Sequence, residues 1–320
     1  MGYITKFGSF WGLIPQTSGR VFWVAPADSY TVEGRTYTSS DGNDGLSPER
    51  AFRTVDFAVG QCTADEGDVI VLLHGAHSIS ATIAVDVAGI TITGIPGAIP
   101  VSRSRMPGSA ARRRTSIVST ETTGDVFTVT VADVEISHIH FDDIAGGQSV
   151  DASAAADRLY VHDCTFLMDT AANTATMGIH FSQTTTGSVD HAVISNCYFV
   201  AGAANGPAIR ALGTVIGLSI ENCTFRLVGA AAWADAITAA DAGSLGILIR
   251  DCDFAQPTSA TTVITNCIDV TGVTTDAATQ VYRCYIPAGA DGVTGTAMAD
   301  VVLCETYIAN STGGTLVTNA

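Results

Sequence analysis

The sequence predicts an all-β protein, a right-handed parallel β-helix of roughly nine coils carrying a short N-terminal capping helix and an N-terminal arm. Three observations predict it. One strand phrase ending in Cys-x-Phe recurs along the chain. Successive copies are separated by 26 to 33 residues, a period that belongs to solenoids. Each of the four clearest copies also carries Asn or Asp where its alternation breaks.

The copies are Leu159-Tyr-Val-His-Asp-Cys-Thr-Phe166, Ala192-Val-Ile-Ser-Asn-Cys-Tyr-Phe199, Leu218-Ser-Ile-Glu-Asn-Cys-Thr-Phe225 and Ile247-Leu-Ile-Arg-Asp-Cys-Asp-Phe254. Weaker copies flank them. Val134 to Phe141 has Ile139 in the cysteine slot. Gln280 to Ile286 keeps Cys284 and reads as one residue shorter inside. Val301 to Ile308 puts Thr306 and Ile308 in the inward slots. Val161 and Cys164 both face inward only if the chain bends at Asp163. Asn and Asp tolerate the left-handed conformation of such a bend. The phrase is therefore strand, one-residue corner, strand.

Stacked coils align like with like. Phe141, Phe166, Phe199, Phe225 and Phe254 are expected as an internal aromatic stack. Cys164, Cys197, Cys223, Cys252 and Cys284 are expected as an internal ladder of reduced thiols filling a narrow corner. No CxxC spacing points to a metal or redox array, and parallel side chains suit disulfide geometry poorly. Upstream, Asp68 to Leu73, Gly89 to Gly94 and Asp125 to Val131 read as strands of the first coils. Counting from there gives a rod of about 40 Å.

Before the first coil comes Asp41-Gly-Asn-Asp-Gly-Leu-Ser-Pro-Glu-Arg-Ala-Phe52, followed by Thr54, Ala58, Val59 and the pair Gly67-Asp68. This resembles the entry segment of the pectate-lyase-like right-handed β-helix superfamily, over roughly residues 40–310. The resemblance implies a turn leading into Ser-Pro, a short helix closing the end of the coil stack, and Gly-Asp opening the first strand. Local chemistry agrees: Ser47 suits an N-cap with Pro48 at the first position. A helix to about Gln61 would cover an open strand edge. The expected organisation is 1–40 arm or cap, 41–67 entry turn and helix, 68–308 β-helix, and 309–320 tail.

Two segments stand outside the repeat. The aromatic Phe7, Phe10, Trp11, Phe22 and Trp23 form either a cap strand or an arm that docks on a partner. Arg103, Arg105, Arg112, Arg113 and Arg114 make a basic loop on a chain of net charge −16, either solvated or a docking handle. So acidic a chain is not expected to bind nucleic acid. No secretory signal pattern or membrane span is read, so the chain is expected to be soluble and made in the cytoplasm.

Candidate chemistry is thin. Asp142 and Asp143 are a weak acid–base pair for glycoside hydrolysis. Polygalacturonase-like enzymes would also need Gly-His-Gly and Arg-Ile-Lys phrases, which are missing. Pectate-lyase-like chemistry implies clustered Asp around calcium and a basic Arg or Lys, yet Lys6 is the only lysine. Asp163 and Asp251 are explained by corner geometry. His138 falls in a corner slot, and His140 and His162 are expected to point outward as surface residues. Asp41, Asn43 and Asp44 read as a turn. No metal and no cofactor is expected. Ala/Gly/Thr-rich filler at Ala152–Ala156, Ala171–Thr176, Ala201–Gly206 and Ala230–Ala240 reads as insertions at coil turns, a subunit interface or a glycan-contact face.

The fold hosts lyases, hydrolases, adhesins and virion proteins. The arm before a β-helix, together with the absence of a secretion-signal pattern, looks similar to phage-encoded virion surface proteins. The primary expectation is a non-enzymatic bacteriophage structural protein, a capsid decoration protein or short spike, trimeric and bound to a virion protein. The alternative is a polysaccharide-binding or polysaccharide-degrading β-helix, with Tyr198 and Tyr285 among its outward residues.

Overall fold

A computed structural model describes residues 17–95 and 115–317, with breaks at 33, 120–123, 145–146, 169–176, 183–186, 202–205, 229–232, 257–263, 272, 274–278, 288–292, 295–300, 305 and 311–312. Beyond residue 287 it describes backbone. Phe7, Phe10, Trp11 and the five arginines from Arg103 to Arg114 lie outside the described residues.

Three long sheets carry the chain. The first has ten strands, all paired in parallel, from Val21–Val24 and Val69–Leu72 through Tyr160–His162 to Val301–Cys304. The second also has ten, from Gly75–Ile79 to Gly313–Val317. The third has eight, from Ile83–Val85 to Val293–Thr294. Between the two ends each coil contributes one strand to each sheet in turn, so the core is the space the three sheets enclose; Val21–Val24 adds a rung to the first sheet alone, and Gly313–Val317 returns antiparallel on Thr306–Asn310 in the second. Among the described residues, no helix is long and apolar enough to cross a membrane.

The turn from first to second sheet is the one-residue corner. His138, Asp163, Asn196, Asn222, Asp251 and Arg283 all have φ between 50° and 56°. A second left-handed corner precedes the first-sheet strand, at Asp133, Arg158 and His191, then at Gly217 and Gly246. For residues with a Cβ this conformation costs roughly 1–2 kcal/mol, repaid because the residues on either side then both point inward. Asp133–Arg158 and Asp251–Arg283 add bidentate ion pairs between corners of neighbouring coils.

Inside, the phenylalanines stack face to face. Ring centroids from Phe141 through Phe166, Phe199 and Phe225 to Phe254 are 4.8, 4.7, 5.0 and 4.9 Å apart, with planes within 12°. That is the spacing of the strands themselves, so the sheet sets the stack. The five cysteines beside them are buried and free. Each Sγ approaches a backbone carbonyl of the coil before: Ile136, Val161, Ile194, Ile220 and Ile249, at 3.7–3.8 Å. Burial raises the pKa of Cys197 and Cys252 well above the usual thiol value.

Several sequence expectations need correction. Of the two readings of Phe22 and Trp23, cap strand or arm, the strand is the one found. Their strand pairs with Val69–Leu72 as a further rung of the first sheet. Both are 3% exposed, Phe22 in the main core and Trp23 in a satellite cluster with Tyr30 and Val71. The copy at Cys284 is full length: Thr279 is buried and pairs with Val301, filling the apolar slot thought to be missing. The entry helix is two pieces, a 3₁₀ turn at Pro48–Arg50 and helix α1 at Val55–Gln61. Ser47 makes no side-chain cap; Thr54 does, its Oγ1 accepting from Phe57 N–H. The extended segment before α1, not the helix, pairs with the open strand edge. Trp23 N–H donates to Gly45, and Phe52 N–H to Trp23, at 2.8 Å. Helix α1 instead buries Val55, Ala58 and Val59 against the core end. Asp41, Asn43 and Asp44 are turn residues: Asp41 accepts from Arg53 and Thr54 N–H, and Asn43 donates to Ala51. The filler is partly sheet: Trp233–Ala239 and Gln148–Ala152 are third-sheet strands.

Candidate functional site

Third-sheet strands repeat their own phrase, apolar–polar–apolar. Phe127-Thr128-Val129, Val150-Asp151-Ala152, Ile179-His180-Phe181, Ile209-Arg210-Ala211 and Ile237-Thr238-Ala239 sit in register. Their apolar members are buried in the core. Alternation therefore puts Thr128, Asp151, His180, Arg210 and Thr238 in one column on the sheet's outer face.

The middle of this column is enclosed. Asp151 and His180 are 9% and 8% exposed. Asp151 Oδ1 lies 3.0 Å from His180 Nδ1, close enough for an ion pair although not aligned as a hydrogen bond. Asp151 Oδ2 accepts from Ser182 Oγ at 2.8 Å. His180 Nε2 is buried with no hydrogen-bond partner among the described residues. A second carboxyl stands one coil below. Asp125 Oδ1 accepts from Gln148 N–H at 2.8 Å. Burial, and then the Asp151 charge, raise the Asp125 pKa; the Gln148 bond and His180 offset part of this. Arg210 follows His180 in register. An oriented imidazole, a carboxyl inclined to hold its proton and a guanidinium along one sheet face can bind an anionic group and move a proton.

The sequence-derived candidates fall elsewhere. Asp142 lies on the second sheet at a register shift, its carboxylate 3.5 Å from His140 Nε2; the Asp143 side chain lies outside the described residues. His140 is therefore not a free surface residue. Tyr198 is buried, while Tyr285 is exposed beside a shallow hollow lined by Asn222, Asp251, Asp253 and Arg283. His162 does face outward on the first sheet, but it is clamped. Its Nε2 lies 3.1 Å from Glu135 Oε1 and its Nδ1 2.8 Å from Asp163 Oδ2. Burial opposes a charge on His162, yet these two carboxylates outweigh it and leave its pKa raised. His138 sits across the corner, its Nε2 4.0 Å from Asp163 Oδ2. His138 and His162 are thus not incidental surface histidines, because Glu135 and Asp163 reach them from neighbouring positions of the coil stack.

Solved structures of the same architecture settle the hand and topology. A pectin methylesterase from Aspergillus niger is 15% identical, with 92% of this chain and 87% of that chain covered and a TM-score of 0.52. An alginate lyase from Paenibacillus is 13% identical over 83% and 95%, TM-score 0.50. A pectate lyase is 13% identical over 88% and 69%, TM-score 0.50. The chain has the pectate-lyase-like right-handed parallel β-helix fold. At these identities the likeness is one of fold. No protein-family model matches the chain, and no curated protein matches it in sequence. Within this β-helix, the Asp125–Asp151–His180–Arg210 group escaped the sequence reading. The signal was present for Asp151, His180 and Arg210, each a charged residue between two apolar ones in successive coils, but these short stretches were assigned to no repeat of their own.

Proposed function

We propose that this β-helix binds an acidic polysaccharide and carries a group placed to cleave it by elimination. The observation that supports this is the outer column of the third sheet. Arg210 is the anchor for a uronate carboxylate. His180 Nε2, its ring held beside Asp151 through Nδ1, takes the proton α to that carboxyl once substrate binding uncovers this now buried nitrogen. Asp125, its pKa raised, returns a proton to the departing glycosidic oxygen. The known enzymes sharing the fold are named for pectin, pectate and alginate, which supports the substrate class. The test is incubation with a panel of acidic and neutral polysaccharides, following the ultraviolet absorbance of unsaturated uronate. Turnover of an acidic polymer that disappears in His180→Gln and falls in Arg210→Ser supports the assignment. Neither binding nor turnover of any acidic polymer overturns it.

A second reading is a trimeric, non-enzymatic surface protein of a bacteriophage particle, a capsid decoration protein or short spike. It is favoured by the commitment of many outer acids to structural pairs between coils: Asp133 to Arg158, Glu221 to Arg250 and Asp251 to Arg283. Such pairing suits a rigid rod. Mass analysis of purified particles decides it, with a copy number near that of the capsid protein expected for decoration and absence from particles excluding it.

A further inference from the structure

We infer that the corner between the first and second sheets holds a binding site for one divalent transition-metal ion, formed by His138, His162 and Asp163. The ligand atoms of these three residues lie within 4.8 Å of one another. They come from two adjacent coils. His138 and Asp163 occupy equivalent corner positions, and His162 is the last residue of the strand Tyr160–His162 that leads into Asp163. The Asp163 Oδ2 separations, 2.8 Å to His162 Nδ1 and 4.0 Å to His138 Nε2, straddle the roughly 3.3 Å edge of a tetrahedron with bonds of about 2.0–2.1 Å.

Two further features fit a metal better than an incidental cluster. The first is the outer partner. With Nδ1 as the ligand, His162 presents Nε2–H to Glu135 at 3.1 Å. A carboxylate holding the far nitrogen of a coordinating imidazole fixes its tautomer and raises its basicity. The second is rigidity. Both corner residues are held in the left-handed conformation, at φ 56° and 53°, and the His162 ring is packed against Tyr160 at 4.2 Å. The donors are thus ordered before an ion arrives. Two imidazoles and one carboxylate suit Zn²⁺, Co²⁺, Ni²⁺ or Cu²⁺ and not Ca²⁺ or Mg²⁺, which favour all-oxygen shells. Three protein ligands leave a coordination position for water or an outside group. The site is separate from the third-sheet column and does not depend on the reading of that column.

The fold itself supplies clean variants. The corner slot held by His138 and Asp163 is filled by Asn196 and Asn222 in later coils, so His138→Asn and Asp163→Asn keep the backbone conformation while weakening the ligands. The full chain, stripped of metal, is titrated with Co²⁺ by visible absorption and with Zn²⁺ by calorimetry. Expected are one ion per chain, a tetrahedral cobalt spectrum and a rise in melting temperature with Zn²⁺. Each corner variant, and Glu135→Gln, weakens binding about tenfold or more. The double corner variant abolishes it with the metal-free melting temperature retained, and His140→Asn leaves it unchanged. Absence of saturable binding overturns the inference. So does binding that survives the double corner variant, which would mark adventitious surface uptake.

Discussion

Phe199 and Phe225 lie face to face with ring centroids 5.0 Å apart and planes 3° from parallel, though 26 residues separate them in sequence. Each ring is sandwiched between two others, so a truncation removes contacts to both neighbours. Phe199→Ala is expected to lower stability by about 3–5 kcal/mol. Phe199→Ile is expected to cost less, because Ile286 already fills the same slot at a later coil. Denaturant unfolding measures both.

Asn222 holds a corner at φ 51° and donates from Nδ2 to Asn196 Oδ1 at 2.5 Å. Asn222→Val places a β-branched side chain where the backbone is left-handed, and a loss of about 2 kcal/mol or more is expected. Asn222→Gly relieves the backbone and loses only the side-chain bond, so it is expected to lie within about 1 kcal/mol of the parent. If Val and Gly behave alike in thermal melts, the corner is not what constrains this position.

Cys223 Sγ lies 3.7 Å from Ile194 O. A serine hydroxyl, on a shorter bond, does not reach that carbonyl and keeps only the bent local contact to Glu221 O, 3.3 Å from the thiol sulfur. Cys223→Ser is expected to destabilise by about 1–3 kcal/mol. Native protein treated with a thiol reagent is expected to leave the five ladder cysteines unmodified until denaturant is added; rapid native labelling of all five would contradict the inward register.

His77 is buried in the second sheet, pairing with Ile117 and hydrogen-bonded through Nε2 to Leu73 O at 2.8 Å. Burial pushes its pKa down to about 4 from 6.5, with Arg53 adding to the shift and the Leu73 contact opposing it. Between those values the unfolded chain binds the extra proton. Stability therefore falls as pH drops below 6.5 and levels near 4, by about 3 kcal/mol from this group. His77→Ile, which copies its register neighbour, is expected to flatten that limb in melts across this range.

The fold was readable because stacking imposes identity. A ring in a face-to-face column is best matched by another ring, so Phe166, Phe199, Phe225 and Phe254 mark their coils. The fixed corner before them keeps Cys and Phe at constant spacing. The third sheet has no such anchor. From the stacked Phe to the third-sheet apolar residue the distance runs from 9 residues (Phe141 to Val150) to 14 (Phe254 to Ile268), so those strands slide out of alignment. Asp125, Asp151, His180 and Arg210 become neighbours only once register is known. Thr279 was missed because a buried threonine does not look apolar, and Phe22 and Trp23 stayed open between cap strand and arm because a rung closing the stack from before the entry segment has no copy of the phrase.

The left-handed corners make the length of this molecule a quantised property. Because every coil re-enters the first sheet at the same angle, a segment such as 193–218 spans one complete circuit: Val193 pairs with Tyr160 in the coil before and with Ser219, the residue that follows the segment, in the coil after. Evolution or an engineer can therefore lengthen or shorten the rod by whole circuits, each about 4.8 Å, while functional groups on one face keep their direction. Moving Arg210 away from His180 by one circuit would change the reach of the column as a measured step, much as moving one rung changes a ladder without altering its rails.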